Sequence, residues 1–240
     1  MNPFSQFASF FQGGGPFMYI ILGIGVLGFA LALERFWTIA RATSWNGAKI
    51  TNDLTERVRK GDLQGAATIA KKVNSPIGQV AHAIVTSGAR TEESLLNVAD
   101  GEAAVALAPL SRRLPHIGLL ANTATLLGLL GTIFGLTTAF AAVGAADPSQ
   151  RSAFLAAGIS QALNTTAFGL IIAIPGLLVH GFLAGRLERI GEQVDEVGVK
   201  MVRAMLQASG ARPMTSSTST PNPAVSHGAP TAPSRPQPVR

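Results

Sequence analysis

Two hydroxyls in charge-free surroundings are the residues best suited to chemistry in this chain. Thr132 and Thr166 each lie near the middle of a run without Asp, Glu, Lys or Arg, residues 114–146 and 152–185. Small residues accompany both at helical spacing, Gly128 and Gly135 around Thr132, and Ala162, Gly169 and Ala173 around Thr166. A hydroxyl donates and accepts at once, so a row of them can line a narrow polar path. Gln161, Asn164 and Thr165 add polar groups to the second run. The same residues also describe helix packing in lipid, where small residues admit close approach and polar side chains bond across the gap. Gly128, Gly131, Gly135, Gly169 and Pro175 are the packing positions on that reading.

Other chemistry has no foothold. The chain has no cysteine, its histidines at 82, 116, 180 and 227 are far apart, and no acid falls within the uncharged runs. Neither a metal site nor a nucleophile is expected, and the chain does not read as an enzyme.

The elements that must hold these hydroxyls are membrane helices. Only 13% of the 240 residues are charged, against about 25% in soluble domains. Residues 1–33 form a third run without charge. A bilayer core about 30 Å thick needs roughly 20 apolar helical residues, so each run can span. The expected layout is a short periplasmic N-terminus (1–16), spans at 17–40, 114–146 and 152–185, a cytoplasmic helical segment (41–113), a periplasmic turn (147–151) and a cytoplasmic helix (186–210). The fold class is an all-α membrane protein whose second and third helices extend into a cytoplasmic bundle.

Charge placement gives the direction. Of 19 Lys and Arg residues, Arg35 and ten in 36–113 follow the first span, seven lie beyond 185, and only Arg151 falls in the short turn. The positive-inside rule then puts the N-terminus outside and the C-terminus inside. The basic excess is thus a topology signal and does not point to nucleic acid. No basic residue precedes the first apolar stretch, so it reads as a retained helix rather than a signal peptide.

Within 41–113, Asp62 after Gly61 predicts a helix start, Asn74-Ser75-Pro76 a break, and Thr91-Glu92-Glu93 a new helix with acids in its first turn. That helix is expected to run toward the second span, kinked or interrupted at Pro109 and Pro115. Beyond Arg186, apolar residues at Leu187, Ile190, Val194, Val197, Met201 and Met205 make a near-heptad stripe. It suits packing on the chain's own helices and packing between subunits equally. Residues 211–240 hold seven of the fourteen prolines with many Ser and Thr, the composition of a disordered tail.

Residues 127–136 (LGLLGTIFGL) and 158–178 (GISQALNTTAFGLIIAIPGLL) closely resemble the ExbB/TolQ/MotA proton-channel family. The three-span layout matches the ExbB/TolQ branch, and Gly61-Asp62-Leu63 resembles its cytoplasmic helix. The resemblance implies a homopentamer around two copies of a single-span ExbD/TolR-like partner, with protons as coupling ion and no cofactor. It places Thr132 and Thr166 on the pore near a partner aspartate, in a motor that turns proton-motive force into movement for Ton- or Tol-type transport or gliding motility. Gln161 stands where Ton and Tol versions carry glutamate, so this chain lacks a titrating group there. The alternative is a structural membrane scaffold without proton conduction. A small secondary transporter would show an internal repeat, and none is evident.

Overall fold

The computed structural model describes residues 3–43 and 47–210; the tail expected over 211–240, with His227, lies outside the described residues. Among the described residues, eight helices follow one another: α1 (Pro3–Gly13), α2 (Pro16–Thr43), α3 (Gly47–Arg59), α4 (Leu63–Lys72), α5 (Pro76–Thr86), α6 (Glu92–Ser111), α7 (Leu114–Ala145) and α8 (Arg151–Ala208). There is no strand among the described residues. Three stretches of the described residues are long and apolar enough to cross a membrane, and they contain α2, α7 and α8. Their outward-facing apolar side chains, such as Phe29, Leu126 and Leu178, need lipid or protein around them.

Helix boundaries follow the capping residues. Asp62 accepts from the Gly65 N–H at 2.9 Å to start α4, Ser75 caps α5 with Pro76 in its first turn, and Thr91 caps α6 ahead of Glu92 and Glu93. Each side-chain oxygen satisfies an N–H that the first turn leaves without a partner. The helix expected to run on toward the second span is interrupted: α6 stops at Ser111 and α7 starts at Leu114 with Pro115 in its first turn. Pro109 stays inside the last turn of α6, and the break at Arg112-Arg113 falls just ahead of Pro115, which has no N–H to give to the Ser111 carbonyl.

Helix α8 runs 58 residues without interruption, through Pro175, about 87 Å at ~1.5 Å per residue. Its lower half carries the expected apolar stripe. Ile190, Val194, Val197 and Met201 are buried, and Leu187 and Met205 are partly covered. The stripe's partners in this structure are α3, α5 and α6 of the same chain. The bundle core also takes in Leu54, Val58, Val80, Ile84 and Leu95. Sequence pattern did not single out α3, whose Leu54 and Val58 are fully buried.

The short N-terminal segment also forms a helix, α1, which returns against α8. Phe11 meets Phe168 edge-on, with ring centres 5.6 Å apart. Gly15, at φ 72°, makes the turn between α1 and α2, a conformation glycine adopts without steric cost.

Candidate functional site in the α7–α8 hairpin

The upper half of α8 packs antiparallel on α7 along a seam of small residues. A Cβ placed on Gly169 would lie 2.7 Å from the Ala124 carbonyl oxygen, one on Gly128 3.2 Å from Thr166 Cα, and one on Gly135 3.2 Å from Ala162. Gly131 lies against the Thr165 side chain. Four of the five expected packing residues are therefore in this seam. Pro175 is not; it lines an apolar cavity of about 560 Å³ between α2, α7 and α8.

Close approach brings Thr132 and Thr166 together. Their Oγ1 atoms are 2.5 Å apart, and both hydroxyls reach the Gly128 carbonyl, at 3.1 Å from Thr132 and 3.0 Å from Thr166. Three polar contacts share two hydrogens. One hydroxyl donates to Gly128 O and the other donates to that hydroxyl, and the roles can be exchanged by rotating two O–H bonds. The pair therefore has two hydrogen-bond polarities without movement of any heavy atom. Both residues are half-buried, so a group beside the hairpin can reach them.

The other three candidate pathway residues stand elsewhere. Thr165, next along α8, is turned about 100° from Thr166 and is 1% exposed. Its hydroxyl lies 2.8 Å from the Gly14 carbonyl and 2.7 Å from Gln161 O. The Gln161 amide packs on Gly15, and a Cβ on Gly13 would meet the Asn164 amide at 3.2 Å. Gln161, Asn164 and Thr165 thus surround the α1–α2 turn; Thr165 also touches Gly131 in the seam, but its hydroxyl is directed to Gly14 rather than to the hydroxyl pair. Sequence spacing alone did not separate them, because all five are small polar residues in two apolar runs.

The vertical position of the pair follows from the contacts of α2. Arg35 Nη1 donates to the Pro109 carbonyl at 2.8 Å, one of the last four of α6, which lack a donor within their helix. Arg35 Nη2 reaches Glu34 at 3.0 Å and Arg113 reaches the same carboxylate at 2.7 Å. Arg35 is 6% exposed. Thr132 lies nineteen positions after Arg113, about 28 Å of helix. At the other end of α2, Phe17 lies beside Gly131. The hydroxyl pair is therefore central in its two uncharged runs but level with the first turn of α2. The uncharged run of α7, 33 residues, spans about 49 Å and outruns the apolar part of α2. The Glu34–Arg35–Arg113 cluster was missed from sequence, although acid and base abutting the ends of two apolar runs were its visible signal.

The family comparison bears on this same hairpin. Residues 71–196 match the model of the MotA/TolQ/ExbB proton channel family. The chain belongs to that family. The match runs from the end of α4 through α7 and the hydroxyl pair into the lower half of α8. Similar proteins include a putative biopolymer transport protein ExbB homolog of Methanothermobacter thermautotrophicus, 27% identical over 82% of this chain and 68% of its own length. The biopolymer transport protein ExbB of Pseudomonas putida is 26% identical over 76% of the chain, which spans 59% of that protein. The Tol-Pal system protein TolQ of Haemophilus influenzae is 34% identical over 36% of this chain and 40% of its own. Family membership and three apolar helices together make this a membrane protein.

Proposed function

We propose that this chain is the ring-forming subunit of a proton-driven motor in the bacterial inner membrane, which couples proton-motive force to mechanical work at the cell envelope. The observation that carries the reading is the Thr132–Thr166 pair on Gly128 O, inside a hairpin whose apolar runs contain no acid. A hydroxyl pair of reversible polarity can accept from a protonated carboxyl and donate to its ionised form, but it cannot store the proton. The titrating carboxyl is supplied by a single-span ExbD/TolR-like partner, two copies within a homopentamer of this chain, with protons as coupling ion and no other cofactor. Each proton crossing 100 mV releases about 2.3 kcal/mol, so a few suffice for a mechanical step.

In this reading the N-terminus is periplasmic, and the bundle of α3–α6 with the lower half of α8 is cytoplasmic, as the placement of Lys and Arg supports. Thr132 and Thr166 form the proton pathway, whereas Gln161, Asn164 and Thr165 secure the α1–α2 turn. The relatives named for biopolymer transport and for the Tol-Pal system favour Ton- or Tol-type work, with gliding motility as a further use of the same machine. Proton flux into vesicles holding the chain and its partner tests the proposal. The assembled pair conducts, the chain alone does not, and Thr132→Val with Thr166→Val suppresses flux at least tenfold. A double variant that assembles and conducts fully leaves the scaffold reading in its place.

A further inference from the structure

A second cavity, of about 310 Å³, opens between the end of α2, the start of α5 and the last turns of α6. Its walls include Trp37, Arg41, Asn74, Ser75 and Gln79, and Arg41 is the one charged residue among the described residues that line it. The Arg41 guanidinium lies 5.3 Å from the centre of the Trp37 ring, an arrangement in which the ring face holds the cation. Trp37 is 59% exposed and adjoins exposed Leu33 and Phe36, so the cavity mouth meets the apolar outer surface of α2.

Level and charge identify what fits there. Arg35 marks the end of the apolar part of α2, and Arg41 lies six residues on, about 9 Å further along the helix. The headgroup layer of a bilayer is roughly 5–7 Å thick on each side, so the Arg41 backbone stands just past it, and its guanidinium, drawn back over Trp37 one turn nearer the membrane, reaches the phosphate level. Lys71 and Lys72 close α4 just before Asn74. Glu34, at the end of the apolar part of α2, is bound by both Arg35 and Arg113, and no acid is among the described residues that line the cavity.

We propose that this cavity binds the headgroup of an anionic phospholipid of the cytoplasmic leaflet. Arg41 takes the phosphate, Asn74 and Gln79 offer further polar contacts, and the acyl chains lie along Leu33 and Phe36. The leaflet assignment rests on the topology proposed above; the site itself does not. Such a lipid would fix the height of α2 and brace the lower bundle against the membrane plane.

The full-length chain, purified and placed in phosphatidylcholine nanodiscs with and without phosphatidylglycerol, tests this by mass spectrometry of lipid retained per chain. The native chain is expected to retain phosphatidylglycerol over phosphatidylcholine at least tenfold. Arg41→Gln should abolish that preference and Trp37→Leu should reduce it about threefold, while Arg203→Gln, on the exposed far end of α8, keeps it. All variants are compared at equal assembly, read from complex mass, so that a folding defect is not mistaken for lost binding. Equal retention of both lipids, an equal loss in Arg203→Gln, or displacement by millimolar inorganic phosphate would overturn the proposal. Labelling Asn74→Cys with an impermeant maleimide separates the two readings. Reaction only from the cytoplasmic side supports the leaflet assignment, and reaction from outside overturns the topology while the lipid measurement stands on its own.

Discussion

Helix α8 is one continuous rod that solves two packing problems in opposite ways. Above, from Gly158 to Gly176, its contacts with α7 are made by glycine, alanine and threonine at near-backbone distance. Below, Ile190, Val194, Val197 and Met201 bury whole aliphatic side chains against α3, α5 and α6. The difference reflects the surroundings. In lipid, an apolar side chain gains nothing by leaving its solvent, so association relies on close van der Waals contact and hydrogen bonds between helices. In water, removal of apolar area is itself the driving force. The upper seam should therefore fail when side chains are added, and the lower one when they are removed.

The largest expected effect is at the upper seam. Gly169→Leu would force a side chain into the Ala124 carbonyl, and it should cost about 3 kcal/mol or more, seen as loss of the folded chain on detergent size exclusion. In the lower half, Val194→Ala should cost about 2 kcal/mol, measured by thermal unfolding, whereas an extra methylene there is better tolerated than at Gly169. A result in which both halves respond alike to enlargement would remove the distinction. Arg35→Ala, at the junction between the halves, strips the Pro109 carbonyl of its donor and should cost about 1–3 kcal/mol, with α2 detaching from α6 in hydrogen exchange. Smallest is Thr165→Val, which removes the bond to Gly14 O at about 1 kcal/mol and loosens the α1–α2 turn, read as faster proteolysis near Gly14.

These two regimes also explain what could be read from the sequence. Absence of charge over long runs marked the spans, because a bilayer excludes charge along the whole length of a helix. The stripe from Leu187 to Met205 was legible because water imposes a helical period on apolar residues. Within the spans no such period exists, since both faces of α7 and α8 are apolar. That is why Thr165 and Thr166, adjacent in sequence, could not be assigned to different partners. Thr165 turns to Gly14 and Thr166 to Thr132, and the division depends on where α1 and α2 lie. For contacts between distant segments, Arg35 with Pro109 above all, the charges at the run ends mark where a contact starts, but the partner has no local signature. The helix α1 escaped because eleven residues without charge read equally well as an extended terminus.

The two sides of the upper hairpin give the most direct test. Proton flux is measured in vesicles holding the chain with its single-span partner, for Thr132→Val, Thr166→Val and Thr165→Val at matched assembly. Flux at least tenfold lower in the first two variants, and within about twofold of native in the third, is the result expected from a conducting hydroxyl pair beside a structural anchor; tenfold corresponds to about 1.4 kcal/mol in the barrier. Undiminished flux in Thr132→Val and Thr166→Val, or an equal fall in all three, would contradict it.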